Sequence, residues 1–254
     1  MKTLKSFDLT GRKAFITGGA KGIGKSAALA FAEAGADVAV VDMDDGAAEE
    51  TVAELRGIGV KALYVRTDIT KPDQVDRMIE AILKEFGTVD IAFNNAGICV
   101  NEKAEEMSYE NWKKVIDVNL NGVFLTARAA GRVMIKNRKG CIINTASMSG
   151  HVVNVPQPQS AYNASKAAVI LLTKSLAVEW APYNVRVNSI SPGYIGTKMT
   201  LASTQWIPTW ESLTPMRRMG RPEELTAALV YLAGDGATFT TGTDIVIDGA
   251  YTCV

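Results

Sequence analysis

The sequence predicts a single α/β domain: a doubly wound, mostly parallel sheet with helices on both faces. Two observations carry this. Short apolar runs alternate strictly with longer helical patterns from one end of the chain to the other. No composition break, repeat, low-complexity stretch or linker divides the 254 residues, a length that α/β domains reach around one core.

In order, "KAFIT" (13–17) reads as a strand, followed by a Gly-rich turn and the helical "GKSAALAFAEAG". Then come the strand "DVAVVD" (37–42), a helix through "DGAAEETVAELRGIG" and the strand "KALYVRTD" (61–68). A helix from about 71 to 86 leads to "VDIAFNNAG" (89–97), and a long helix near 108–137 precedes "GCIINTAS" (140–147). Another helix is expected over about 160–181, then the strand "VRVNSISPG" (185–193). The last long helix follows Pro222, whose ring suits a first turn, with the charges of "PEE" at its N-terminus. "TGTDIVIDGA" (241–250) closes the sheet. Only 198–220 has no clear place in the alternation; it carries Trp206 and Trp210 and is a candidate substrate lid.

Hydrophobic residues make up 47% and charged residues 21%, an ordinary globular balance. Lys plus Arg equals Asp plus Glu at 27 each, so no net field draws the chain to nucleic acid or an anionic membrane. Cys99, Cys141 and Cys253 form no C-x-x-C pair and His151 is the only histidine. A metal site and a Ser-His-Asp hydrolase are therefore not expected. The start, "MKTLKSFDLTGRK", has no apolar core of a secretory signal, and no run is long enough to span a bilayer, so the expected location is the cytoplasm.

"FITGGAKGIGKSAALA" joins the first strand to the first helix, the setting of a dinucleotide site. Gly18, Gly22 and Gly24 permit a tight turn and close approach of a pyrophosphate to the helix N-terminus. Such glycines also serve any tight βα connection, and their spacing is Gly-x-x-x-Gly-x-Gly. Asp42 ends the second strand 20 residues after Gly22, where a carboxylate accepts hydrogen bonds from an adenosine ribose and repels a 2′-phosphate. It favours NAD(H), although it could instead cap the next helix. Lys21, inside the turn, could hold a phosphate and keeps NADP(H) open.

In "SAYNASKAAV" (160–169), Tyr162 and Lys166 stand four apart and share a helix face. The plain alternative is a tyrosine at a helix edge and a lysine in solvent. The chemical reading is a phenol acid: a free phenol has a pKa near 10, and a cation within about 4–6 Å lowers it. Ser147 ends a predicted strand at the carboxyl edge, where the crevice of an open α/β sheet lies.

Together, "TGGAKGIG" (17–24), Asp42, "DI" (68–69), "NNAG" (94–97), Asn119, Ser147, "YNASK" (162–166) and "PGYIGT" (192–197) closely resemble the short-chain dehydrogenase/reductase family, from Leu9 to the C-terminus. The resemblance implies a Rossmann-type fold and assigns roles. Tyr162 would exchange a proton with the substrate oxygen, Lys166 would hold the nicotinamide ribose and depress the tyrosine pKa, Ser147 would bond the substrate oxygen, and Asn119 would anchor a water linking Lys166 to solvent. Gly18, Lys21, Gly22, Ile23 and Gly24 would form the pyrophosphate turn; Asp68 and Ile69 would flank the adenine; Asn95, Ala96 and Gly97 would line the adenosine ribose. Pro192 and Gly193 would belong to the same cofactor site, with Ile195 and Thr197 fixing the carboxamide. The stretch "SMSGHVVNVPQPQSAYNASKAAV" resembles the family's polyol dehydrogenase and ketose reductase branch.

The expected substrate is thus a secondary alcohol or ketone, foremost a sugar alcohol/ketose pair. Asn154, Gln157 and Gln159 supply amides for several hydroxyls, His151 follows Ser147 closely, and Trp206 and Trp210 offer faces for a sugar's C–H side. A hydroxysteroid or a 3-oxoacyl thioester is the alternative substrate. A catalytically silent dinucleotide-binding regulator is the non-enzyme alternative. The resemblance further implies a homotetramer pairing the helices near 108–137 and 160–181, whose "TARAAG" and "SKAAV" permit close approach.

Overall fold

The computed structural model describes residues 3–254. Its strands are β1 (Lys13–Thr17), β2 (Asp37–Asp42), β3 (Ala62–Arg66), β4 (Ile91–Asn94), β5 (Gly140–Thr145), β6 (Val185–Pro192) and β7 (Asp244–Ile247). They form one sheet in the order β3-β2-β1-β4-β5-β6-β7, with every neighbouring pair parallel. A parallel sheet covered on both faces selects strands that are apolar throughout, as in "DVAVVD" and "IAFN". Alternate residues divide between two cores. Ala14 and Ile16 face one way and Phe15 the other, as do Ile143 and Ile142.

On the first face lie α1 (Gly22–Glu33), α2 (Asp45–Ile58) and α9 (Thr226–Ala233), which bury Phe31, Leu55 and Leu229. The other face carries α3 (Pro72–Phe86), α5 (Val123–Asn137) and α6 (Ser160–Trp180), which bury Met78, Met134 and Leu176. The helix signals operate as the residues suggest. The Asp44 carboxylate accepts from Ala47 N at 3.2 Å to start α2, and Gly59 ends it with φ +105°. Pro72 opens α3 without forfeiting a hydrogen bond.

The long helix expected near 108–137 is α4 (Tyr109–Ile116) and α5 joined by a π-turn over Asp117–Gly122. Gly122 allows the wider turn to press on Ile69: a Cβ there would lie 2.6 Å from Ile69 Cδ1. Such turns re-aim backbone at functional sites, and this one holds Asn119. The 198–220 segment contains two short helices, α7 (Lys198–Leu201), capped by Thr197, and α8 (Ile207–Leu213), with Pro208 in its first turn.

Strand order reverses between β1 and β4, which leaves a crevice at the carboxyl edge of the sheet. The glycine turn after β1 borders it. Gly18 has φ +63° and Gly22 φ +53°, the left-handed region. Gly24 is required for space alone: a Cβ there would sit 2.1 Å from the Gly18 carbonyl oxygen. Replacing Gly24 by Ala is expected to destabilise the protein by about 3 kcal/mol and to abolish dinucleotide binding. Gly46→Ala, in α2 where a Cβ meets nothing within 4 Å, should stabilise by about 0.5–1 kcal/mol. Denaturant midpoints of the two variants check both.

Candidate active site

The crevice is a cleft of about 1110 Å³, ample for a ligand of cofactor size. Gly18, Lys21, Gly22 and Ile23 form one wall, Asn95–Gly97 another, and Thr197–Met199 lean over the glycine turn. Tyr162 and Lys166 project into it from α6. The first turn of α1 has no side-chain cap, so its N–H groups face the cleft as an anion site. At the deep end a Cβ on Gly97 would lie 3.5 Å from Lys166 Nζ and 3.3 Å from Asn119 Oδ1. Both ends of the cleft therefore stay open because glycines line them, as a dinucleotide requires.

Lys166 is only 2% exposed. Its ammonium donates to the Thr145 carbonyl at 2.6 Å and stands 5.6 Å from the centre of the Tyr162 ring. Burial pushes Lys166 down to about 8. Tyr162 keeps part of its ring open to the cleft, but burial pushes its phenol up to about 12, with the Ser147 hydroxyl pulling the other way. The juxtaposition expected from the spacing is present; the expected lowering of the phenol pKa is not. The reason is burial, which penalises the phenolate more than the Ser147 hydroxyl favours it. At neutral pH the pair is a protonated phenol beside an ammonium.

Ser147 is 6% exposed, and its Oγ accepts from Ser149 N at 3.1 Å, which leaves its hydrogen free to donate. Asn119 is fully buried, and its amide makes a reciprocal pair with Ile98 (N to Oδ1 2.8 Å, Nδ2 to O 2.9 Å) and donates to Ser165 Oγ at 3.1 Å. Its side chain pins the segment after β4 to α6.

Asp42 holds the glycine turn: one oxygen accepts from Ala20 N at 3.1 Å, the other from Met43 N at 2.7 Å and Asp44 N at 3.1 Å. Lys21 is paired with Asp44. Asp68 accepts from Thr70 N and Oγ1 at 3.0 and 2.7 Å, while the Ile69 side chain is buried against Gly122. Pro192 ends β6, and the Ile195 side chain is in the core beside Gly220. Asp42, Asp68, Ile69 and Ile195, expected at the cofactor, do not line the cleft.

A second pocket of about 760 Å³ opens beside the first and shares Tyr162 with it. Ser147, Asn154, Gln157, Gln159, Trp206 and Trp210 line it, along with Gly193. The three amides expected to await hydroxyls are engaged with the protein. Gln159 Nε2 donates to Asn154 Oδ1 at 3.0 Å, and Asn154 Nδ2 and Gln157 Nε2 both donate to Tyr194 Oη at 2.9 Å. Trp210, 4% exposed, stacks on Tyr194 (4.3 Å, 12°), so one of its faces is already covered. His151 does not reach this pocket. Its Nε2 lies 2.7 Å from Asp244 Oδ2 and 3.3 Å from Ser191 Oγ, tying the turn after Ser147 to β7. Among the described residues no group of three or more His, Cys, Asp or Glu is placed to hold a metal ion, and no helix is long and apolar enough to cross a membrane.

The sequence model described as enoyl-(acyl carrier protein) reductase matches residues 18–252. A sorbose reductase of Candida albicans is 45% identical over 98% of this chain and 90% of its own length. A probable NADP-dependent mannitol dehydrogenase of Yarrowia lipolytica is 43% identical over 98% and 91%. A short-chain type dehydrogenase/reductase of Mycobacterium marinum superposes with TM-score 0.98 at 50% identity over the whole of both chains. The chain belongs to the short-chain dehydrogenase/reductase family.

Ser149, the rival of Ser147 in "SMSG", also lines the second pocket, as do Tyr194, Met199 and Thr200, which the sequence did not single out. Tyr194 sits inside the quoted "PGYIGT", the one available signal.

Burial of Lys166 has a measurable signature. Between about 8 and the ordinary 10.5 the unfolded chain binds the proton that the folded chain has released, so this residue's contribution to stability rises with pH in that window. Relative to Lys166→Met, the wild type should gain on the order of 2 kcal/mol between pH 8 and pH 10. Chemical denaturation of both proteins across that range checks it.

Proposed function

We propose that the protein is an NAD(H)-dependent oxidoreductase that interconverts a secondary alcohol and its ketone, with a sugar alcohol/ketose pair as substrate. The observation that carries this is the protonated Tyr162 phenol, beside the charged Lys166 and the Ser147 donor, at the junction of the two pockets. The cleft residues would hold a nicotinamide dinucleotide, which would supply or accept the two electrons as hydride. The residues do the rest. Ser147 and Tyr162 donate to the substrate carbonyl oxygen, and Tyr162 gives up its proton as that oxygen gains charge. The phenolate so formed is balanced by the Lys166 ammonium, held in place by the Thr145 carbonyl. In oxidation the same proton returns to Tyr162. Asn119 acts through the Ile98 segment and α6, which it fixes to each other.

Gly18, Lys21, Gly22, Ile23 and Gly24 would hold the pyrophosphate, Asn95–Gly97 and Lys166 the riboses, and Thr197 with the backbone of Pro192–Ile195 the nicotinamide end. Preference for NAD(H) is supported by Asp42, fixed on the glycine turn. Relatives are named for either cofactor: an NADP-dependent mannitol dehydrogenase of Hypocrea jecorina, an NAD-dependent glycerol dehydrogenase of Listeria innocua. The polyol reading is supported by the names of the relatives and by the amides and hydroxyls around the second pocket, which the 198–220 segment would cover as a lid. A cytoplasmic location accords with three free cysteines.

Tyr162→Phe, which keeps the ring that lines the cleft and removes only the hydroxyl, should lower turnover about 10²–10⁴-fold while NADH binding, read by fluorescence, stays within roughly twofold of the parent. Rates over sorbose, fructose, xylulose, a steroid ketone and an acetoacetyl thioester, each with NADH and NADPH, test substrate and cofactor. Faster turnover with NADPH overturns the reading of Asp42, and activity confined to the steroid or the thioester overturns the polyol reading.

The exposed Phe124, Leu171 and Val178 on α5 and α6 support a homotetramer in which these helices pair between copies. Light scattering after size-exclusion chromatography should give four times the mass of one chain; a monomer contradicts it.

A further inference from the structure

The amide cluster around the second pocket has a direction. An indole N–H can only donate, so the bond from Trp210 Nε1 to Gln157 at 2.8 Å fixes that amide with its oxygen toward Trp210. Gln157 Nε2 must then donate to the Tyr194 hydroxyl oxygen, at 2.9 Å. Asn154 Nδ2 donates to the same oxygen at 2.9 Å, while Asn154 Oδ1 is taken by Gln159. Two N–H groups thus occupy the acceptor side of Tyr194, and its own hydrogen remains. The Val155 carbonyl is 3.5 Å away, long for an O–H···O bond. The Tyr251 hydroxyl, on a ring that meets Tyr194 edge-on at 86°, is its other neighbour and favours the protonated form.

We propose that Tyr194 is a specificity-determining residue whose hydroxyl donates a hydrogen bond to a substrate oxygen remote from the reacting carbon, so that the pocket selects ketoses over alcohols and ketones lacking an oxygen there. This rests on the polyol/ketose reading and deepens it. Three features suit the role. The ring is held by stacking on Trp210 at 4.3 Å, so the hydroxyl does not swing. Burial pushes its pKa well above the ordinary phenol value, so the hydrogen is present at any working pH. Asn154 and Gln157, which bracket the hydroxyl, line the same pocket as Ser147 and Tyr162. The Tyr194 hydrogen is held only by the long contact to the Val155 carbonyl and by the Tyr251 hydroxyl, so a substrate oxygen placed there offers a better acceptor than a substrate lacking that oxygen can.

The test compares kcat/KM for sorbose, its 5-deoxy and 6-deoxy analogues, and cyclohexanone. The wild type should prefer sorbose to at least one deoxy analogue by about 10–100-fold, and Tyr194→Phe should bring that ratio to about 1 by lowering kcat/KM for sorbose more than for that analogue or for cyclohexanone. Tyr194→Phe also strips two amides of their acceptor, so Asn154→Asp serves as the second variant. It keeps the hydroxyl but offers a carboxylate that takes the tyrosyl hydrogen, and it should collapse the same ratio. Tyr251→Phe should leave the ratio as in the wild type. A Tyr194→Phe enzyme that loses activity equally on all substrates, or keeps the parental ratio, overturns the proposal. A wild type that reduces cyclohexanone and neither sugar overturns the polyol reading on which it rests.

Discussion

A lysine ammonium taken almost wholly out of water is costly, and α6 keeps one there. Lys166 is one turn beyond Tyr162, its charge compensated by a single carbonyl at the end of β5 and by the face of the Tyr162 ring. The carbonyl belongs to Thr145, two residues before Ser147, so the strand that supplies the compensation also delivers the hydroxyl that faces the phenol. Moving β5 relative to α6 would break both. The rest of the scaffold secures that one registration: α6 packs along β6 and under the π-turn, and the Asn119 amide ties the π-turn to both α6 and the segment after β4.

The glycine turn provides the other half of the arrangement. The crevice opens between β1 and β4 because successive connections leave β1 in opposite directions there, and the turn after β1 lies on its edge. Asp42 stabilises this turn from the neighbouring strand by accepting Ala20 N–H. The carboxylate therefore shapes the pyrophosphate turn and stands beside the ribose position at once. The opposing titration shifts of Tyr162 and Lys166 follow from the same enclosure. Walls close enough to exclude water from the reacting centre raise an acid and lower a base together.

Much of the architecture was legible in the sequence because its signals are local. Apolar runs between turns marked the strands, 3.6-residue periodicity the helices, and the four-residue spacing placed Tyr162 beside Lys166. The π-turn was not legible: it depends on Gly122 meeting Ile69 from another connection. His151 was expected near substrate on account of its closeness to Ser147 in the chain, but its partner Asp244 is 93 residues away, on the edge strand. The amides of 154–159 were legible as polar pocket material. Their mutual bonds, and those to Tyr194 and Trp210 across 37 to 53 residues, were not. Spacing also reports proximity without burial, which is why the direction of the Tyr162 shift required coordinates.

The central claim is that enclosure keeps the phenol protonated in the protein alone and that a positive charge added at the reacting centre, together with the Lys166 ammonium, readies it to lose its proton. Titration of tyrosinate absorbance, taken as the difference between wild type and Tyr162→Phe, measures this directly. The account predicts ionisation of Tyr162 only at strongly alkaline pH in the protein alone and a drop of about 1–3 pH units, the shift a nearby opposite charge produces, when NAD⁺ is added. A near-neutral Tyr162 in the free protein, or a value that NAD⁺ leaves in place, would contradict it.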